Sequence, residues 1–180
     1  MLLDAYLSLE GPDVPGESKD AQFPDQIRIL SAEIAAVSGE FGFDAKGSPT
    51  GPSGHRFEPV RVLKQLDKST PLIFKGFSQS TAYQTATLSF CLPDPTPRSA
   101  KKIVYLEVVL EKVQIMRYSF VGNPATFRTR SGASPFTERD LLDIGPVDEF
   151  ELSYRTIELT YKGADGKGNF SARHALQKGV

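Results

Sequence analysis

The sequence predicts a mainly β protein, a small barrel or an orthogonal sandwich, with one short α-helix and long projecting loops. Three observations carry that expectation. Nearly every periodic segment alternates apolar and polar residues with the period of two that a strand requires. The stretch FEPVRVLKQLDKSTPLIFKGFSQSTAYQTATLSFCL (57–92) reads as strand, helix, strand, and holds the one helix with its own start signal. Two late segments reverse their alternation midway, which requires a bulge or a sharp bend and marks strands that turn a corner between sheets.

In order, Leu3, Ala5, Leu7 and Leu9 alternate as one face of a half-buried strand. A loop rich in proline, glycine and aspartate follows. The segment IRILSAEIAAV (27–37) has apolar residues on both faces, so that strand should be covered on both sides for part of its length. Residues 39–56 are rich in glycine and read as a long projecting loop or flexible hairpin. Phe41 and Phe43 lie within it, apolar side chains on a protrusion that either tuck back or wait for a partner. Residues 60–64 continue as a strand. Ser69 or Thr70 then caps a helix of two to three turns, with Pro71 suited to its first turn. Ile73, Phe74 and Phe77 share one helical face, and Gly76 weakens the helix.

The alternation returns from Ala82 to Leu92, with Ala86, Leu88, Phe90 and Leu92 inward. A proline-rich turn (93–102) leads to the first phase-switching segment. There Val104, Leu106, Val108 and Leu110 share a face, but Val113 and Ile115 have the opposite parity. The second such segment runs Phe150, Leu152 and Tyr154, then Ile157, Leu159 and Tyr161. Residues 122–146 form another long connection, in which 137–142 read as a single helical turn. Phe170 to Leu176 makes a last strand.

Composition bounds the class. The 180 residues suffice for one domain (1–180) that buries roughly 70% of its unfolded surface. No apolar run approaches the ~20 residues needed to cross a bilayer. The opening MLLDAYLSLEG lacks a basic region and is interrupted by Asp4, so no cleaved leader is expected and the chain should fold in the cytoplasm. The single cysteine, Cys91, excludes an internal disulfide framework and reads as a buried thiol. Charge is uneven. Residues 1–50 carry three basic and nine acidic side chains (−6), residues 51–132 twelve and five (+7), and the remainder six and eight (−2). The basic middle is spread over strands rather than clustered among stacking aromatics, so solvated strand faces are the better reading than nucleic acid. Acidic and basic parts could also meet between copies, favouring head-to-tail association.

Strung together, these segments resemble the Hcp family (haemolysin-coregulated protein), the tube subunit of the bacterial type VI secretion system. The resemblance covers nearly the whole chain. It rests on the opening DAYLSLEG, on FEPVRVLKQLDKSTPLIFKGF with its Asp67-Lys68-Ser69-Thr70-Pro71 core, on YLEVVLEKVQI, and on VDEFELSYRTIELTYKGADGKG. Two departures are a longer 122–146 segment and the absence of the common tryptophan from the closing motif.

The resemblance implies a small closed β-barrel of two packed sheets with one helix on its side and long projecting loops. It further implies homo-hexameric rings that stack into a tube within a contractile sheath, topped by a spike protein and expelled from a Gram-negative cell with effectors in the lumen. Such a protein is cytoplasmic before firing and secreted afterwards, without enzymatic activity, cofactor or membrane insertion, and no room remains after Val180 for a toxin domain. The 39–56 loop, with Phe41, Phe43 and His55, is the expected ring-stacking contact, and 122–146 the second.

Chemistry has few candidates. His55, His174 and Cys91 make a poor zinc set. Glu107 and Glu111 sit roughly 13 Å apart along a strand, too far for a glycosidase pair, whereas Glu149 and Glu151 at about 7 Å have suitable spacing but no evident cleft. Gly166-Lys167-Gly168 lacks a phosphate-cradling loop. A phage-type tail tube subunit, a secreted hydrolase or effector, and a monomeric carbohydrate- or peptide-binding barrel are the alternatives.

Overall fold

The computed structural model describes residues 4–39, 42–50, 55–94, 101–122, 128, 132, 137, 144–163 and 167–176. Along the chain these form β1 (Ala5–Glu10), β2 (Ile27–Glu33), β3 (Ala36–Ser38), β4 (Gly42–Phe43), β5 (Pro49–Thr50), β6 (His55–Phe57), β7 (Val60–Gln65), α1 (Thr70–Ser78), β8 (Ala82–Pro93), β9 (Lys102–Val121), β10 (Val147–Ser153), β11 (Thr156–Tyr161) and β12 (Phe170–Ala175). The main sheet runs β10-β7-β2-β1-β8-β9-β11-β12, and β10 also pairs with β9. That second pairing closes six strands into a barrel. β11 and β12 continue past β9 as a flange.

The 20-residue β9 makes the closure possible. Its first half pairs with β8 on one edge and β11 on the other, and its second half pairs with β10. Between the halves the predicted phase switch falls at Lys112, whose φ of 56° is uncommon for a residue with a side chain. Register with β8 is the same on both sides of it, from Phe90↔Leu106 to Ala82↔Gln114. The reversal therefore comes from a left-handed backbone step rather than an inserted residue. Leu110 and Val113 consequently both face the core. The second predicted switch falls at Tyr154-Arg155, where β10 ends and β11 begins. True bulges, with one extra residue on one strand, occur at Leu30, Tyr105 and Met116.

The barrel core is built from Ala5, Leu7, Leu9, Ile27, Ile29, Val60, Val62, Leu88, Val108, Leu110, Phe150 and Leu152, with Ile73 contributed by the helix. Several expectations need correction. β1 is covered on both faces, because the loop after it folds back and Phe23 stacks on Tyr6 at 4.3 Å. The 27–37 segment breaks into β2 and β3. Leu92 keeps the parity of Leu88 and Phe90 but is exposed near the end of β8, whereas Cys91 on the other face is buried against Tyr6 and Phe23. The extra residue at Tyr105 reverses the phase of β9, so Val104 pairs with Cys91 and packs outside the barrel with Tyr6, Phe23 and Cys91. The helical turn expected at 137–142 lies, but for Thr137, outside the described residues.

The helix itself forms as predicted, with Pro71 in its first turn, but its cap differs. Ser69 takes the N-cap position without a capping bond from its own side chain. Phe74 is largely exposed, whereas Ile73 and Gly76 are buried. α1 packs where β9 runs on past the start of β8. Gly76 is required there, since a Cβ would collide with the Tyr83 hydroxyl.

Candidate assembly surfaces

A buried ion network fixes the helix to the barrel. Lys64 Nζ, fully buried, lies 2.8 Å from Asp67 Oδ1, 2.9 Å from Thr70 Oγ1 and 3.0 Å from Asp148 Oδ2. Thr70 Oγ1 donates to Asp148 Oδ2 at 2.7 Å, and Asp67 Oδ1 accepts from the Ser69 amide at 2.9 Å. Asp67 thus takes the capping role expected of Ser69 or Thr70. Lys64 and Asp148 face each other across β7 and β10. This overturns the reading of Lys64 as part of a solvated strand face. The signal was present: Lys64 shares the inward parity of Val60 and Val62, and Asp148 that of Phe150 and Leu152.

The predicted protrusion is a built hairpin. β3 pairs with β6 at its base and β4 with β5 further out. Asp44 organises the tip: its Oδ1 accepts from the amides of Lys46 and Ser48, each at 2.9 Å. Phe43 stands 74% exposed on this arm. His55 is exposed at the base, opposite Ser38, so the two residues occupy separate ladders rather than one cluster. Phe41 lies outside the described residues. The base is anchored by Phe57, whose ring stacks on His174 of β12 at 4.3 Å, and by the Tyr154 hydroxyl donating to the Glu58 carbonyl at 3.2 Å.

Elsewhere the surface carries a cleft of about 500 Å³ lined by Tyr6, Glu17, Asp20, Arg28, Asp67 and Lys102, among others. Tyr6 and Arg28 are paired across β1 and β2, and the cleft spreads from them to the loop after β1, the end of β7 and the start of β9. Within the cleft Lys102 Nζ bridges Asp20 at 2.7 Å and Asp4 at 3.0 Å, and contacts the Tyr6 hydroxyl. Burial works against the Lys102 charge, but hydrogen bonds to Asp20, Tyr6 and Asp4 outweigh it and hold the ammonium above the ordinary lysine range. The Lys102 hydrogen bond likewise holds the Asp20 carboxyl below the usual carboxylate range. Burial, reinforced by the Asp4 charge, pushes the Cys91 thiol up to about 11.

The carboxylates considered for catalysis are occupied by cations. Glu107 pairs with Lys162 at 3.0 Å and Glu111 with Arg173 at 2.6 Å. Glu149 pairs with Arg61, and Glu151 lies 4.0 Å from Arg117. Among the described residues no three His, Cys, Asp or Glu side chains are placed to hold a metal, and no helix is long and apolar enough to cross a membrane.

A protein-family model described as "Type VI secretion system effector, Hcp" matches residues 6–161. Solved structures share the fold across almost their full lengths. They include the Hcp1 protein from E. coli EAEC 042 (TM-score 0.69, 19% identity, 96% of this chain and 98% of that one) and a type VI secretion system effector from Yersinia pestis (0.66, 16%, 96% and 100%). An Hcp protein superposes with a TM-score of 0.71 at 14% identity, covering 98% and 99%. No curated protein matches the sequence.

Proposed function

Since the chain belongs to the Hcp family of type VI secretion proteins, a family of structural tube proteins rather than enzymes, we propose that it is the subunit of a homo-hexameric ring. One observation carries the reading: the family match extends from β1 through β11, the whole barrel. In this reading barrels pack side by side through a heterologous contact that closes at six, and rings stack into a tube. The tube lies within a contractile sheath behind a spike protein, carries effectors in its lumen, and is exported with them from the cytoplasm without a signal peptide.

Stacking falls to the hairpin, with Phe43 and His55 and the neighbouring Phe41. Because the hairpin projects from the end of the barrel at which β2 ends and β7 begins, head-to-tail stacking sets each hairpin against the other end of the next ring. Deleting residues 42–54 tests this. The deletion protein should keep the far-UV circular dichroism of the barrel and form rings, but lose tubes in negative-stain images. Tubes of ordinary length from the deletion protein would sink the assignment.

A further inference from the structure

Tyr83 carries a buried polar group that the barrel leaves unused. Its ring lies in the core and the residue is only 2% exposed. Paired with Val113 of β9, it reaches inward beneath α1, where its hydroxyl sits against Gly76. Among the described residues no group bonds that hydroxyl. Burial alone pushes the phenol up, and no hydrogen bond offsets it. Such hydroxyls are rare, because folding strips their water and returns nothing. This one is not sealed in, however. Among the described residues the fully enclosed side-chain polar atom without a partner is Asp148 Oδ1. The Tyr83 oxygen, also without a partner, therefore keeps an opening, and Tyr83 lines a groove of about 220 Å³ between α1 and the loop after β1.

Both walls of the groove are held in place. Leu72, Lys75, Gly76 and Gln79 recur at helical spacing and form the α1 wall. Beyond them the Thr81 amide donates to the Gly76 carbonyl at 2.9 Å and closes the helix. Pro12, Asp13 and Val14 form the facing wall, tied down by the Val14 amide donating to the Leu9 carbonyl at 3.1 Å. Pro12, Val14 and Leu72 make the lining partly apolar. Its charges are of both signs and both unspent. Lys75 has no ion pair among the described residues, and Asp13 accepts only from the Gly11 amide at 3.5 Å. They share the groove without pairing with each other. A simple anion would suit Lys75 but be repelled by Asp13, and a simple cation the reverse. A ligand with both charges and a short apolar side chain satisfies every group at once. The volume equals roughly seven waters at ~30 Å³ each, too little for a nucleotide or a sugar chain.

We propose that this groove is a binding site for a small aliphatic α-amino acid. Its carboxylate takes hydrogen bonds from the Tyr83 hydroxyl and the Lys75 ammonium. Its own ammonium pairs with Asp13, and its side chain lies on Pro12, Val14 and Leu72. The site is complete within one copy and is independent of the ring reading.

Isothermal titration calorimetry of the full chain with L-leucine tests it. Saturable heat is expected at millimolar ligand or below. Tyr83→Phe removes only the hydroxyl and should weaken leucine binding about tenfold, the scale of one hydrogen bond to a charged group. Lys75→Met, at an exposed position on α1, should do the same, and it decides the matter if Tyr83→Phe does not fold. Isocaproate, which lacks the ammonium, and leucinamide, which lacks the carboxylate, should each bind about tenfold more weakly than leucine. Absence of saturable heat with leucine overturns the proposal and leaves a groove that holds water alone. So does a folded variant that binds leucine as tightly as the wild type. Isocaproate or leucinamide binding as tightly as leucine overturns the amino acid as the ligand.

Discussion

At the scale of single residues, the consequential feature is a lysine with no exposed surface. Lys64 is tolerable in the interior only because Asp67, Asp148 and Thr70 surround its ammonium. Removing one member strands the others, so Lys64→Met should lose about 3–5 kcal/mol in chemical denaturation. The double variant Lys64→Met/Asp148→Leu should recover much of that loss, because an apolar pair requires no buried charge. Gly76 gives a test of opposite intuition. In an exposed helix Gly→Ala gains about 1 kcal/mol, but here the new methyl meets the Tyr83 hydroxyl. A net loss of about 1–3 kcal/mol is expected, largely relieved by Tyr83→Phe.

The Lys102 cluster adds a pH dependence whose sign follows from its shifts. Asp20 is depressed in the folded state, so its contribution is present above about pH 4 and lost as the pH falls through its lowered folded value. Lys102 is raised, so its share is complete below about pH 10 and lost only at higher pH. Lys102→Met should therefore flatten the acid limb. Between pH 5 and pH 2 the wild-type urea midpoint should fall further than that of the variant. Equal falls would mean that the bridge contributes nothing. Of these residues, sequence reading anticipated Cys91, since a lone thiol in an apolar run has few other roles. Lys64 and Asp148 went unrecognised because charge was summed by region rather than by strand parity.

At the scale of elements, the period-two pattern located the barrel strands, and the proline-marked start located the helix. The two reversals of phase were legible because each leaves an odd spacing between core residues: Leu110 to Val113, and Tyr154 to Ile157. How the chain achieves a reversal was not legible, since a left-handed step at Lys112 and an inserted residue leave the same trace. The extra residue at Tyr105 leaves no trace in the alternation of Val104, Leu106 and Val108, so Val104 reads as inward from the sequence, whereas Leu92 keeps the inward parity and is exposed near the end of its strand. Residues 39–56 read from the sequence as a projecting loop or a flexible hairpin, and the ordered tip was not legible, because the Asp44 bonds run from a side chain to local amides rather than through an alternating pattern. Asp44→Ala should loosen the tip without touching the core. Hydrogen exchange should rise at the amides of Lys46 and Ser48 while β1 and β8 keep their protection. Unchanged exchange at those two amides would contradict the role given to Asp44.

At the scale of the whole molecule, the described residues include features that closing the barrel does not require. It closes on itself through β9 and β10, yet extends a flange with an open edge and two exposed rings. It also projects a paired hairpin and carries a polar cleft on its surface. Such edges and patches invite association in an isolated protein, and each becomes purposeful once copies meet side by side and end to end. The most direct test of that account is negative-stain microscopy of the purified protein together with its native mass. Annuli of six subunits, with a matching mass, are the predicted result. A strict monomer at high concentration would contradict it.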